Sequence, residues 1–250
     1  MSTMPEFTAQ AIRLPDGSTT LDLPSMFDQS PRFLAVERLT RLLIGDPKGK
    51  RIADLGCFEG GFAVGLAAMG AEVLGIEARD TNMAKLRFLE QTFKDELEVR
   101  FAQSDAKDFT VDRHGRFDLV LCLGLLYHLD APVAWLSQAA ATTDAIIVDT
   151  AYAPDAFNLP GNRFEAKLGP LVEHEGYEGR WYDDLNEAGD REAQLTASWS
   201  NAQSFWLTKR ALRGTLLGVG FRSVVEYTNR ASFAAEVEDP RTRVVVAAWR

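Results

Sequence analysis

Arg51-Ile-Ala-Asp-Leu-Gly-Cys-Phe-Glu-Gly-Gly61 carries the reading of this chain. Ile52 to Leu55 is a short apolar strand, and Gly60 to Met69 reads as an apolar helix stopped by Gly70. A Gly-rich turn that leaves a strand and opens a helix is a setting in which nucleotides bind. Gly56 permits the tight turn, and Gly60 or Gly61 lets helix and strand pack closely. A dinucleotide would want a further glycine at position 58, where the backbone approaches the pyrophosphate. Phe58 stands there instead, which argues against a nicotinamide or flavin dinucleotide.

Outward from this loop the chain alternates. Strands are predicted at Val73 to Ile76, Leu97 to Phe101, Phe117 to Leu123 and Ala145 to Val148, with helices at Thr81 to Phe93 and Ala131 to Ala141. Such alternation predicts an α/β fold, a mostly parallel sheet covered by helices on both faces. A helix over residues 32–44 follows Pro31, and residues 1–30 read as irregular with a short hairpin around Pro15-Asp16-Gly17. Residues 151–204 show no sustained period and are expected to be a substrate-side insertion. After the helix Leu207 to Leu217, strands Ser223 to Tyr227 and Arg243 to Trp249 have no helix between them, so an antiparallel pair is expected at the sheet edge. The expected division is 1–47, an N-terminal segment with a capping helix, and 48–250, the domain proper.

Two further strand ends carry acids. Glu77 follows the second strand, 21 positions after Gly56, where a carboxylate accepts bonds from ribose hydroxyls. Ala102-Gln-Ser104-Asp105-Ala106 follows the third, and Asp105 can accept from an adenine amino group. A formal charge of −9 disfavours a nucleic-acid partner, which needs clustered cations to release counterions. The only two cysteines, Cys57 and Cys122, lie in apolar runs and read as reduced core residues. The opening residues have no basic and apolar signal pattern, and no stretch nears the roughly 18 apolar residues of a membrane span. A cytoplasmic location and no membrane partner are therefore expected.

With these elements in order, the chain resembles the class I S-adenosylmethionine-dependent methyltransferases over about residues 48–150, and more loosely over 205–250. Asp54, Gly56 and Gly60 match the family's glycine motif, and Phe58 replaces its usual middle glycine. The resemblance implies a Rossmann-like seven-stranded sheet and S-adenosylmethionine as cofactor, with S-adenosylhomocysteine as product. It implies that Asp54, Gly56, Cys57, Phe58 and Gly60 surround the methionine part and that Glu77 holds the ribose. Ala78, Ser104, Asp105 and Ala106 would edge the adenine, and Leu123 and Gly124 the sulfonium. S-Adenosylmethionine carries no phosphate, so Phe58 is compatible with it.

His128, in Leu123-Gly-Leu-Leu-Tyr127-His128, lies beyond the fourth strand, where ligands bind in open α/β sheets. Imidazole is suited to taking a hydroxyl proton, so His128 is the candidate catalytic base, or else a wall of the cofactor pocket. Some sugar O-methyltransferases of this superfamily carry a divalent metal. By that resemblance Asp149 with Glu173 and His174, or with Asp183 and Asp184, are candidate Mg²⁺ ligands. Trp181-Tyr182 and Trp199 to Trp206 read either as a lid over a polar molecule or as pins holding the insertion down. The leading expectation is O-methylation of a small polar acceptor such as a sugar or natural product, with a homodimer admitted. The alternatives are transfer of a methyl or carboxymethyl group to a tRNA wobble uridine, a non-catalytic cofactor-binding protein, and a nicotinamide dehydrogenase.

Overall fold

The computed structural model describes residues 3–156, 167–183, 194, 197–227 and 243–250. Asp184, the Asp239-Pro240 loop and part of the expected insertion lie outside the described residues. Five strands run parallel: β1 (Arg51–Leu55), β2 (Glu72–Glu77), β3 (Val99–Gln103), β4 (Leu119–Leu123) and β5 (Ala145–Ala151). Between and beside them lie α1 (Pro31–Ile44), α2 (Gly61–Ala68), α3 (Asp80–Phe93), the short α4 (Val111–His114) and α5 (Pro132–Thr142). The sheet order is β3-β2-β1-β4-β5-β10-β9, with β9 at Ser223–Tyr227 and β10 at Arg243–Trp249. The expected C-terminal antiparallel pair is present. Within it β10 runs antiparallel to both β5 and β9, and β9 is the outermost strand.

Strand residues alternate between two cores, as a sheet covered on both faces requires. Ile52, Leu119, Leu121 and Ile147 face a cluster built from α1, α2 and α3, while Ala53, Val120, Ile146 and Val148 face one built from α5 and α6 (Lys209–Gly218). Ser30 caps α1 by accepting from the Phe33 N–H, and Pro31 opens the helix, as proline at N1 does. Gly65 lets α1 approach α2, because a Cβ there would lie 2.3 Å from Phe33 Cε2. Gly65→Ala is therefore expected to cost about 1–3 kcal/mol through overpacking, read as a lowered urea midpoint. An unchanged midpoint would show that Phe33 can give way.

Residues 7–14 are not a loose leader. Phe7, Ile12 and Leu14 are buried in the first core, and the expected short hairpin forms as one antiparallel bridge, Arg13 to Thr19, with Gly17 N–H donating to the Leu14 carbonyl.

The insertion contains a second sheet that its sequence pattern did not announce. β6 (Leu168–His174), β7 (Tyr177–Asp183) and β8 (Gln203–Leu207) form an antiparallel sheet in that order. Glu175 (φ 53°) and Gly176 (φ 80°) make the two-residue turn between β6 and β7, both with the positive φ of a tight hairpin.

Candidate active site

The parallel strand order reverses between β1 and β4, and ligands of such sheets bind at the carboxyl ends beside that reversal. A cleft of about 300 Å³ opens there. Asp54, Gly56, Cys57, Phe58, Glu77, Ala78, Ser104, Asp105, Ala106, Leu123, Gly124 and His128 all line it. Gly60 does not. It caps α2 at φ 85°, packed so closely that a Cβ would sit 2.8 Å from Leu86 Cδ2.

The loop after β1 is held by Gly56 and Cys57, whose N–H groups both donate to the Ile76 carbonyl. Phe58 then takes φ 55°, a left-handed conformation that costs a non-glycine residue roughly 1–2 kcal/mol. This is why a glycine is usual at that position of the motif. Phe58 turns its N–H onto Glu77 Oε2 at 3.0 Å, while Ala78 and Arg79 N–H groups donate to Oε1. Those three bonds leave room on the carboxylate, which has about four lone-pair positions, for one further donor. Burial pushes the Glu77 pKa up, and the N–H groups of Arg79 and Phe58 partly offset it.

Asp54 is 1% exposed, and its Oδ2 has no hydrogen-bond partner. Burial raises its pKa to about 7, against the lowering influence of Arg32. A buried, unpartnered carboxylate oxygen on a cavity wall is suited to a ligand's ammonium group. Asp105 accepts from Lys107 N–H with one oxygen and so caps the short 3₁₀ turn Ala106–Asp108.

His128 ends the 3₁₀ turn Leu126–His128 that follows β4, its ring 4.2 Å from that of Tyr127. The Tyr127 carbonyl accepts from Trp206 Nε1, and Phe205 N–H donates to the Leu129 carbonyl, so β8 buttresses this turn. The aromatic residues divide their work. Trp206, buried and stacked on Tyr182, pins the insertion, whereas Trp199 lines the cleft over the Arg79 guanidinium.

The expected metal group does not assemble. Asp149 is fully buried, with Oδ1 accepting from Arg243 Nε and Oδ2 accepting from Arg32 Nη2 and Arg243 Nη2. Burial would raise its pKa, but Arg243 and Arg32 outweigh burial and hold it below the usual carboxylate range. Two guanidiniums thus occupy the oxygens a cation would need. His174 lies on β6 rather than in a loop, against Trp181 and Phe205, with Nε2 3.0 Å from the Asp130 carbonyl. Glu173 pairs across the hairpin with Glu178. Among the described residues no group of three or more His, Cys, Asp or Glu is placed to hold a metal.

The sequence reading missed several lining residues, Gln10, Arg32, Arg79, Asn82 and Arg243, whereas Trp199 and Asn201 come from the stretch it read as a lid or a pin. It also passed over Glu59, inside the glycine loop. Its buried carboxylate accepts from Thr8 N–H, Thr8 Oγ1 and Lys85 Nζ on Oε1, and from Ala9 and Gln10 N–H on Oε2. Burial works against its charge, but Lys85 and Thr8 keep the pKa below its ordinary value. Gln10 in turn accepts the Gly61 N–H at the start of α2.

A family model described as a methyltransferase domain matches residues 27–224. A ubiquinone biosynthesis O-methyltransferase from Alkalilimnicola ehrlichii is 37% identical over 99 residues, which are 39% of this chain and 38% of that protein. The chain thus spans well under half the length of the relatives it matches in sequence. Among solved structures, the N-terminal domain of EvdMO1, determined in the presence of SAH (S-adenosylhomocysteine) and D-fucose, matches with a TM-score of 0.66 at 26% identity. That match covers 94% of this chain and 88% of the other. An S-adenosylmethionine-dependent methyltransferase from Mesorhizobium loti, 18% identical, shares the fold with a TM-score of 0.58 over 89% of this chain and 99% of the other. The fold and the family match together define a methyltransferase domain of class I architecture. The chain belongs to the methyltransferase-domain family.

Proposed function

We propose that this protein transfers the methyl group of S-adenosylmethionine to a hydroxyl of a small polar molecule such as a sugar. The observation that carries the proposal is the placement of His128 on the same cleft as the unpartnered Asp54 oxygen, under the insertion. Bound in the cleft, S-adenosylmethionine supplies an electrophilic methyl group. Asp54 Oδ2 accepts the ammonium, and Glu77 accepts a ribose hydroxyl with its remaining lone pair. Ala78 and Ala106 flank the adenine, with Asp105 accepting its amino group, and Leu123 and Gly124 border the sulfonium. The acceptor enters beneath the insertion, and His128 removes its hydroxyl proton as the methyl is transferred. Trp199 and Tyr127 keep bulk water from the reacting atoms. The ubiquinone biosynthesis O-methyltransferases among the relatives support a hydroxyl acceptor, and the similar domain determined in the presence of D-fucose supports a sugar.

Methyl-labelled cofactor incubated with a panel of monosaccharides, phenols and amines tests this reading. Label on a hydroxyl supports it; label on amines alone would overturn it. With a hydroxyl acceptor in hand, His128→Ala is expected to lower kcat about 10²–10⁴-fold while S-adenosylhomocysteine affinity stays within about threefold. A variant that turns over at the wild-type rate would remove His128 as the base.

A further inference from the structure

We infer that the N-terminal segment is part of the cofactor site, with Gln10 Nε2 as a donor to the cofactor's carboxylate. This rests on the S-adenosylmethionine reading above and adds to it a residue outside the strand ends that carry the family motif.

Three observations meet at Gln10. The first is its orientation. Gly61 N–H donates to Oε1 at 2.7 Å, which fixes the amide so that the other end is the NH₂ group. The second is what that NH₂ faces. Gln10 is 7% exposed and lines the cleft, yet among the described residues its Nε2 has no protein partner, and it is not sealed inside the core. It therefore presents its donors to the cavity. The third is how firmly the segment is held. Glu59 receives the N–H groups of Thr8, Ala9 and Gln10, and its charge is matched by buried Lys85 at 2.6 Å. A mobile leader would not need an internal ion pair to anchor three successive amides.

The polar groups at this end of the cleft sort by charge. Asp54 Oδ2 is an acceptor without a donor, whereas Gln10 Nε2 and the Arg32 guanidinium are donors. An ammonium and a carboxylate on one carbon would satisfy both sets, and the amino-acid end of the cofactor has that pair. Only glycine at position 61 admits the arrangement, since a Cβ there would lie 2.8 Å from Gln10 Oε1 and 2.5 Å from Phe27 Cδ1.

The test compares two ligands that differ at the amino-acid end. S-Adenosylhomocysteine carries the carboxylate, and 5′-methylthioadenosine lacks the whole amino-acid group. Gln10→Glu keeps an oxygen for the Gly61 N–H but replaces the donor with a negative charge. By isothermal titration, it is expected to weaken S-adenosylhomocysteine about 10–100-fold, the worth of a charge-assisted hydrogen bond, and to leave 5′-methylthioadenosine within about twofold. Gln10→Leu, which removes the donor without adding charge, should give the same split. Equal weakening of both ligands, or of neither, would overturn the inference and leave Gln10 a purely structural cap. Wild-type protein that binds neither ligand would instead sink the cofactor reading, and this inference with it.

Discussion

Between pH 7 and pH 5 the affinity for S-adenosylhomocysteine is expected to fall roughly 50-fold, and the fall should disappear in Asp54→Asn. The cause is the buried Asp54 carboxyl, whose pKa of about 7 lies well above the ordinary aspartate value because burial penalises its charged form. The ligand's ammonium keeps its charge throughout this range, so the proposed contact requires Asp54 ionised. Below the folded pKa each pH unit then costs close to a factor of ten. At pH 7.5 Asp54→Asn should bind about 10–100-fold more weakly than wild type and show no pH slope below neutrality. Titration calorimetry in buffers of different ionisation enthalpy should also reveal proton release on binding near pH 6. A flat wild-type profile would mean that Asp54 does not meet the ammonium. The sign for folding is opposite to that of an ordinary salt-bridged aspartate. The unfolded chain loses this proton near pH 4 and the folded one near 7. The contribution of Asp54 to stability therefore declines by about 1.4 kcal/mol per unit as pH rises between those values, then levels off.

The largest stability effect is expected at Asp149. Its two oxygens bind the guanidiniums of Arg32 and Arg243, which come from α1 and β10 and would otherwise face each other with like charge. Removing one member of a buried ion network costs about 3–5 kcal/mol. The side chains of Arg32 and Arg243 are 25% and 20% exposed at the cleft, so water relieves part of that cost and the lower end applies. Asp149→Ala should thus lose about 3 kcal/mol and lower Tm on the order of 10 °C, seen by calorimetry. Asp149→Asn, which keeps hydrogen-bond acceptance, should lose less. A loss under 1 kcal/mol for the alanine variant would show that the cleft solvates both arginines unaided.

The strand-end wall of the cleft was legible because its residues follow strands whose order is local. Gly56, Glu77 and Asp105 each follow a short apolar run, and the parallel topology brings those ends together. Gln10, Arg32 and Arg243 reach the same cleft from outside that alternation. Arg32 bonds a residue 117 positions away, and no periodicity marks such a pair. The same distance explains the metal expectation: Asp149 at a strand end looks like a free ligand until two distant cations are seen to hold it. Glu59 was in plain view inside the motif, but its partners, Thr8 to Gln10, lie in a stretch that reads as irregular. The β6–β7 hairpin escaped because its alternation is broken by a register shift between Leu168 and Leu171, where Gly169 and Pro170 stand. Its one local signal was the Glu175-Gly176 pair.

That turn also ties the insertion to the main domain. Glu175 reaches out of the hairpin to accept the N–H groups of Val133 and Ala134 at the start of α5, a helix whose preceding residue, Ala131, offers no side-chain cap. The insertion therefore finishes a helix of the main domain. A graft exchanging it for another segment would have to bring a carboxylate to the same spot, or leave the helix that follows His128 frayed at its first turn.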